Sequence, residues 1–116
     1  MENNIQIREA ISGDEVAIFE QIKELALFEK APEQVVNTVE QLKIDLFIDK
    51  VCDAIVAEKE GKIVGFALYF TSYSTWKGKA LYLEDFYVQP DYRKFGYGSM
   101  LFDEVVKIAK ERKVRR

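Results

Sequence analysis

At 116 residues, with 48% hydrophobic and 32% charged residues, the chain has the length and composition of one soluble globular domain. Its net charge of −3 offers no basic face for nucleic acid, and no apolar run approaches the ~20 residues that a membrane span needs. The chain has no histidine and a single cysteine, Cys52, which excludes a His-dependent triad and an intrachain disulfide and argues against a zinc site. We therefore expect a cytoplasmic protein whose partners include neither nucleic acid nor a membrane.

The chain begins with a predicted strand and a predicted helix. Residues 5–8 alternate apolar and polar side chains, as a half-buried strand does. Ser12 and Glu15 have the spacing of a capping box, which predicts the start of a helix. Apolar residues then recur at helical spacing and predict the buried stripe of this helix, formed by Val16, Phe19, Ile22 and Leu25 or Ala26.

A second, shorter helix is predicted after a loop. Pro32 prevents easy continuation of the first helix, and residues 30–37 form the connection. Thr38 and Gln41 have the spacing of another capping box, so a short helix is expected from there to about Phe47. Such a connection either overhangs a site or only joins two elements.

The second half predicts three strands and a helix. Residues 54–58 and 63–70 are two apolar runs separated by Glu60 and Gly61, which indicates an antiparallel hairpin. Residues 80–88 form the next strand. The last helix is predicted to begin near Gly98, with a buried stripe of Leu101, Phe102, Val105, Ile108 and Ala109.

The residues that indicate a chemical function lie in the strand at residues 80–88 and in its connection to the last helix. Glu84 and Asp85 are adjacent carboxylates among apolar neighbours, and strand alternation predicts that they lie on opposite sides of the strand. The connection at residues 93–98 contains Gly96 and Gly98, and a glycine-rich turn at a helix N-terminus exposes backbone N–H groups that bind phosphate. An acidic strand beside a phosphate site predicts a cationic substrate and an anionic cofactor.

Residues 93–98, Arg-Lys-Phe-Gly-Tyr-Gly, also fit a known family pattern in full. That pattern is a basic residue or Gln, two variable residues, Gly, one variable residue, then Gly or Ala. With a strand before it and a helix after it, the segment resembles the acetyl-CoA-binding motif of the GNAT superfamily of N-acetyltransferases. Residues 22–26, 33–35, 63–67 and 81–86 resemble the diamine (spermidine/spermine) acetyltransferase branch of that superfamily.

The resemblance covers about residues 5–109 and implies a fold. It implies an α+β protein with a mixed sheet, the GNAT-type acyl-CoA N-acyltransferase fold, in the order β-α-α-β-β-β-α. Family members continue past this helix into a further strand, a helix and a hairpin, which carry a Tyr thought to protonate the leaving thiolate. We therefore expect residues 1–116 to be a single, incomplete N-acetyltransferase domain, truncated after the acetyl-CoA-binding helix. Relatives are commonly dimers, so the resemblance implies a homodimer.

The resemblance also implies roles for particular residues. The reaction would transfer acetyl from acetyl-CoA to a primary amine of a small molecule such as a polyamine, with Glu84 as the catalytic base, directly or through water. No metal is expected. The residues implied to bind acetyl-CoA are Phe86, Val88, Arg93, Lys94, Phe95, Gly96, Tyr97, Gly98 and Ser99. Those implied to bind the amine are Phe28, Glu29, Glu33, Trp76, Glu84 and Asp85.

Other interpretations stay open on the sequence alone. Glu84 is equally consistent with a solvated carboxylate on an exposed sheet face, and Asp85 with a structural hydrogen-bond acceptor. Phe28 stands where diamine acetyltransferases usually have Tyr, and Lys30 adds a positive charge nearby; both departures count against polyamine specificity. The alternative function is a catalytically impaired acetyl-CoA-binding fragment, or a module that shares strands with another chain.

Overall fold

A computed structural model describes residues 5–112, and a four-stranded antiparallel sheet is its framework. The strands follow one another across the sheet in chain order, from β1 at one edge to β4 at the other. Their bounds are Ile5–Glu9 for β1, Asp53–Lys59 for β2, Lys62–Ser74 for β3 and Gly78–Val88 for β4.

Three helices complete the predicted order, which is confirmed. They are α1, Glu15–Phe28; α2, Val39–Lys43, which continues into a π-helical turn at Ile44–Ile48; and α3, Tyr97–Glu111. Short 3₁₀ turns at Pro32–Gln34 and Pro90–Phe95 connect them to their neighbours. No helix within residues 5–112 has both the length and the hydropathy to cross a bilayer.

The sheet carries a separate core on each face. On one face, α1 and α2 bury Ile18, Phe19, Leu42 and Leu46 against side chains such as Phe66. On the other face, α3 buries Tyr97, Leu101 and Val105 against Ile55, Val64 and Tyr69. The central strands β2 and β3 are covered on both faces, which explains their continuous apolar sequence.

The β2–β3 hairpin is confirmed and has a two-residue loop. Lys59 pairs with Lys62, and the intervening Glu60 and Gly61 have φ of 53° and 84°. Positive φ at both central residues matches the type I′ turn, whose twist suits the right-handed twist of paired strands.

The predicted capping box at the start of α1 is wrong, and at α2 the Thr38 cap is confirmed, although the Gln41 side chain donates to Asp45 at 3.0 Å instead of completing the box. Asp14, not Ser12, flanks α1, and no side chain caps the helix. The Asp14 carboxylate is instead held by the Arg8 guanidinium at 2.7 Å, and the Glu15 carboxylate accepts a hydrogen bond from the N–H of Gly13 at 2.7 Å. At α2, Thr38 Oγ1 accepts a hydrogen bond from the backbone N–H three residues on, at 3.1 Å.

Two residues of the predicted stripes lie outside the cores. Val16 is 54% exposed and Phe102 is 51% exposed. Phe102 packs edge-on against Phe86 of β4, with ring centroids 6.4 Å apart, where the sheet ends. Ile18 and Gln21 are buried in α1 in place of Val16, so the buried face of that helix is rotated from the predicted one.

One glycine sets how closely the sheet and α3 approach. A Cβ placed on Gly65 of β3 would lie 2.9 Å from the Tyr87 carbonyl oxygen, 3.1 Å from Cγ2 of Val88 and 3.3 Å from Cδ1 of Leu101. The absence of a side chain at this position therefore allows β3, β4 and α3 to meet at the end of the sheet where α3 begins.

Candidate active site

An extra residue in β4 brings the two adjacent carboxylates to the same side of the sheet. Leu68 of β3 pairs with Asp85, but the next residue, Tyr69, pairs with Leu83, so Glu84 is the inserted residue of a β-bulge. A bulge interrupts the alternation of side chains along a strand. The prediction that Glu84 and Asp85 lie on opposite sides is therefore wrong.

Side-chain packing along β4 agrees with the register. Before the bulge, the residues packed in the α3-side core are Leu81 and Leu83; after it they are Phe86 and Val88. The residues that face α3 are therefore odd-numbered before residue 84 and even-numbered after it. Glu84 and Asp85 both face the α1 side, and both line one cavity with residues of α1.

This carboxylate cavity has a volume of ≈ 390 Å³ and lies between α1, the α1–α2 connection and β4. Glu84 is exposed, whereas Asp85 is half-buried. Glu29, just past the end of α1, adds a third carboxylate. The remaining lining residues are Ile22, Leu25, Ala26, Ala31, Gln34, Val35, Val36 and Asn37. Acidic groups on an apolar wall suit a cation with an alkyl chain.

Burial and neighbouring negative charge change the acidity of Asp85. Burial contributes most, followed by the charges of Glu84 and Glu29, and together they raise the pKa of Asp85 to about 6. The carboxyl therefore gains or loses its proton close to physiological pH. Its ionised form lacks a compensating cation in this cavity, which is a condition that a bound ammonium group would relieve.

We expect Asp85→Asn to stabilise the fold at pH 7.5 but not at pH 4. The folded-state pKa of Asp85 lies above its usual value of 3.8, so the folded protein binds this proton more tightly than the unfolded chain does. The stability of the wild type therefore falls as pH rises from about 4 to 6. Removing the carboxylate is expected to raise the free energy of unfolding by about 1 kcal/mol at pH 7.5, a value reduced for solvent screening of a half-exposed group.

Urea unfolding at the two pH values measures this effect, with Asp49→Asn as the control at an exposed carboxylate. The control is expected to change little at either pH. Equal stabilisation by Asp85→Asn at pH 4 and pH 7.5 would contradict the argument, because it would show that the gain does not come from the ionised carboxylate.

A second cavity, the Arg93 cleft, adjoins the first and has a volume of ≈ 460 Å³. The two cavities share Leu25 and Glu29. Side chains and backbone of β4, the turn before α3 and the end of α1 line it: Leu25, Phe28, Glu29, Phe86, Tyr87, Val88, Arg93, Gly96, Gly98 and Ser99. An acidic cavity therefore opens beside a cleft that carries a cation and a helix N-terminus.

The turn into α3 has the backbone geometry that the glycines suggest. Gly96 has φ of 80°, the left-handed region that favours glycine, and α3 begins at the next residue. A Cβ at Gly98 would make ordinary contacts with the Phe86 ring at 3.7 Å and with Cγ2 of Val88 at 3.8 Å. The first N–H groups of a helix have no partner within the helix, and together with the positive end of the helix dipole they favour an anion. In α3 these groups lie beside the cleft.

Arg93 is held in the cleft by contacts to three residues. Its Nε donates a hydrogen bond to the Val88 carbonyl oxygen at 2.6 Å. Its guanidinium carbon lies 5.3 Å from the ring centroid of Phe28 and 5.3 Å from that of Tyr87. No carboxylate within residues 5–112 forms an ion pair with Arg93. A positive charge without a negative partner is thus fixed at the cleft.

Most of the residues implied by the resemblance come together, and some lie apart. Lys94 and Phe95 are exposed and line neither cavity, and the Tyr97 side chain is buried in the core, so only its backbone is available to a ligand. Glu33 is exposed on the α1–α2 connection but does not line the carboxylate cavity. Trp76 is 92% exposed in the β3–β4 turn and lines neither cavity. The roles of these residues remain predictions.

Sequence reasoning missed several residues of the site. Leu25 was expected only as core, yet it forms the wall common to both cavities. Tyr87 packs in the α1-side core, and its hydroxyl also donates a hydrogen bond to Glu24 at 3.0 Å. Leu25 lies one helical turn before Glu29, a predicted amine-binding residue, and that spacing was the signal available for Leu25. No sequence signal connects Glu24 with Tyr87.

Metal ligands are not grouped in the part of the chain that the structure describes. No three or more Asp, Glu or Cys side chains there are arranged to hold an ion.

Comparison with known proteins first defines the class. An aminoglycoside acetyltransferase from an uncultured soil metagenomic sample superposes with a TM-score of 0.80 over 98% of this chain and 75% of its own, at 18% identity, which shows the fold alone. The sequence model of the Acetyltransferase (GNAT) family matches residues 18–116. The chain therefore belongs to the GNAT acetyltransferase family, and the fold class and family resemblance are confirmed.

Two curated relatives agree with the diamine acetyltransferase branch. The thialysine N-epsilon-acetyltransferase of Bos taurus is 41% identical over 90% of this chain and 67% of its own length. The spermidine/spermine N(1)-acetyltransferase-like protein 1 of Homo sapiens is 39% identical over 90% of this chain and 16% of its own length. This chain spans about two thirds of the length of the thialysine acetyltransferases it matches.

Proposed function

We propose that the protein transfers the acetyl group of acetyl-CoA to a primary amine of a small polycationic molecule such as a polyamine. The observation that carries the proposal is the junction of the carboxylate cavity with the Arg93 cleft through Leu25 and Glu29. A cationic amine held in the first would lie next to an anionic cofactor held in the second. The names of the curated relatives, which act on thialysine or resemble a polyamine acetyltransferase, support an amine of this class.

The reaction requires a proton acceptor beside the amine. An alkyl amine with a pKa near ~10.4 is uncharged in roughly one molecule in a thousand or fewer at neutral pH. Glu84 would take a proton from the ammonium group, directly or through a water molecule, so that the nitrogen can attack the acetyl carbon; the second proton, lost from nitrogen as the amide forms, passes to solvent. The bond from that carbon to sulfur breaks, and coenzyme A leaves as the thiolate.

Asp85 and Glu29 would hold the amine rather than accept its proton. Both carboxylates line the same cavity as Glu84, so they favour binding of a substrate with more than one positive charge. Phe28 lines the Arg93 cleft rather than the carboxylate cavity, so we propose it, with Glu33 and Trp76, as an outer contact of a longer amine.

At the cofactor end, the backbone of residues 93–99 would bind the pyrophosphate, with the glycines permitting close approach. The Arg93 guanidinium would add a charge-assisted contact. The Val88 carbonyl is already bonded to Arg93, so we propose its N–H, with the backbone of Phe86, for the pantetheine and the thioester carbonyl.

We expect acetyl-CoA to raise the melting temperature of the protein. A ligand that binds only the folded state stabilises it by about 2.7 kcal/mol at 100 times its dissociation constant, which corresponds to a shift of roughly 5–15 °C for a domain of this size. A thermal-shift titration measures the effect, with ATP at the same concentrations as a control for general phosphate binding. A melting temperature that does not respond to acetyl-CoA would overturn the proposed cofactor.

A further inference from the structure

Glu24, on the third turn of α1, connects that helix to the cofactor end of β4. Its carboxylate accepts a hydrogen bond from the Tyr87 hydroxyl at 3.0 Å and one from Nε2 of Gln89 at 3.2 Å. Glu24 lines neither the carboxylate cavity nor the Arg93 cleft. The catalytic proposal therefore leaves it without a role.

Tyr87 links Glu24 to Arg93. The Tyr87 side chain is buried, and its ring forms one of the two aromatic surfaces against which the Arg93 guanidinium lies. Burial, followed by the hydrogen bond and charge of Glu24, raises the pKa of the Tyr87 hydroxyl, whereas the charge of Arg93 opposes that rise. Glu24 thus contacts Tyr87, and Tyr87 contacts Arg93, so the three side chains connect α1 to the turn before α3.

The hydrogen bond to Glu24 determines where the Tyr87 ring can lie. A buried phenol needs an acceptor, and leaving its O–H without one is unfavourable. With Glu24 as the acceptor, the ring is fixed against α1 and presents its face to Arg93. Without it, only core packing would position the ring, and the contact of the ring with the guanidinium would be less well fixed.

A fixed guanidinium matters because arginine has many rotamers. A flexible side chain loses conformational entropy when it binds phosphate, and one that is already ordered loses less. Arg93 has its Nε bonded and its guanidinium carbon 5.3 Å from the centroids of two rings, so its positive charge is positioned in the cleft lined by the start of α3.

We propose that Glu24 is a positioning residue for acetyl-CoA binding, acting through the Tyr87 hydroxyl to hold the Arg93 guanidinium in the Arg93 cleft. This inference rests on the proposed function, since it presupposes that the cleft binds the cofactor. It adds a contact on α1 that determines cofactor affinity without touching the cofactor.

The test is a double-mutant cycle on acetyl-CoA affinity, measured by calorimetry at low salt on the 116-residue chain. Tyr87→Phe keeps the ring and removes the O–H, and it is expected to weaken binding about three- to tenfold. Arg93→Ala is expected to weaken it about tenfold or more. The double variant is expected to bind no more weakly than Arg93→Ala alone, because the hydroxyl acts only through the arginine.

Variants at Glu24 separate positioning from general stability. Glu24→Ala is expected to reproduce the loss seen in Tyr87→Phe, whereas Glu24→Gln keeps an acceptor oxygen and is expected to restore most of the affinity. Glu20→Ala, one turn earlier on α1 at an exposed carboxylate, is the matched control and is expected to leave affinity unchanged. Urea unfolding of each variant identifies any affinity change caused by loss of the fold.

Two outcomes would overturn the inference in distinguishable ways. If the wild type binds acetyl-CoA but the effects of Tyr87→Phe and Arg93→Ala multiply in the double variant, Tyr87 does not act through Arg93 and only this inference fails. Unchanged affinity in Glu24→Ala has the same meaning. If the wild type does not bind acetyl-CoA, the proposed function fails and takes this inference with it.

Discussion

Replacing Glu84 by Gln is expected to lower kcat for acetyl transfer by about 100-fold or more while changing the acetyl-CoA dissociation constant less than about twofold, because general base catalysis typically contributes at least that factor. Glutamine keeps the size of the side chain but cannot accept the amine proton. Glu84 lines the carboxylate cavity and not the Arg93 cleft, so the effect is expected on turnover rather than on cofactor affinity.

The assay uses the full-length protein, with spermidine and thialysine as the amine substrates. Glu40→Gln, at an exposed carboxylate of α2, is the matched control for loss of one negative charge. Asp85→Asn is the decisive comparison, because Asp85 rather than Glu84 is the half-buried carboxyl with the pKa near 6. Unchanged kcat in Glu84→Gln together with a large loss in Asp85→Asn would transfer the role of base to Asp85.

Gly65→Ala is expected to destabilise the fold by about 1–3 kcal/mol, the range for adding a methyl group to a tightly packed site. The new Cβ would lie 2.9 Å from the Tyr87 carbonyl oxygen, which belongs to a paired strand and cannot move without disturbing the sheet. The Val88 and Leu101 side chains, at 3.1 and 3.3 Å, leave little room on the other sides. Urea unfolding monitored by circular dichroism measures the loss.

Gly98→Ala provides the comparison for this substitution. Its Cβ would make ordinary contact with the Phe86 ring at 3.7 Å, and alanine is favoured over glycine within a helix. We expect no loss of stability there. Equal stability of the two variants would show that β3, β4 and α3 separate easily, and would contradict the packing described around Gly65.

The order of the elements could be predicted because each has a local cause. The alternating and apolar runs of β2 and β3 and the Glu60-Gly61 loop between them define a hairpin without reference to the rest of the chain. Thr38 caps α2 through a bond to a residue three positions on. These signals act within a few residues, so they can be read from the sequence.

The errors occur where distant residues compete with a local rule. The Ser12 cap is absent, and Asp14 beside it is held by Arg8 of β1. Strand alternation fails at Glu84 because β4 has one residue more than the β3 segment that it pairs with, and the register of a neighbouring strand is not encoded locally. The bond from Tyr87 to Glu24 spans 63 residues, and no spacing rule identifies it.

The bulge at Glu84 has a consequence for how this protein tolerates genetic change. Loss of a single codon between Leu83 and Phe86 would remove a carboxylate and also restore the regular pleat. A substitution at Glu84 removes one functional group, whereas a deletion there would leave a smoother, fully paired strand with only one acidic side chain facing α1. Selection on the acidic site would therefore conserve the number of residues in β4 as strictly as their identity.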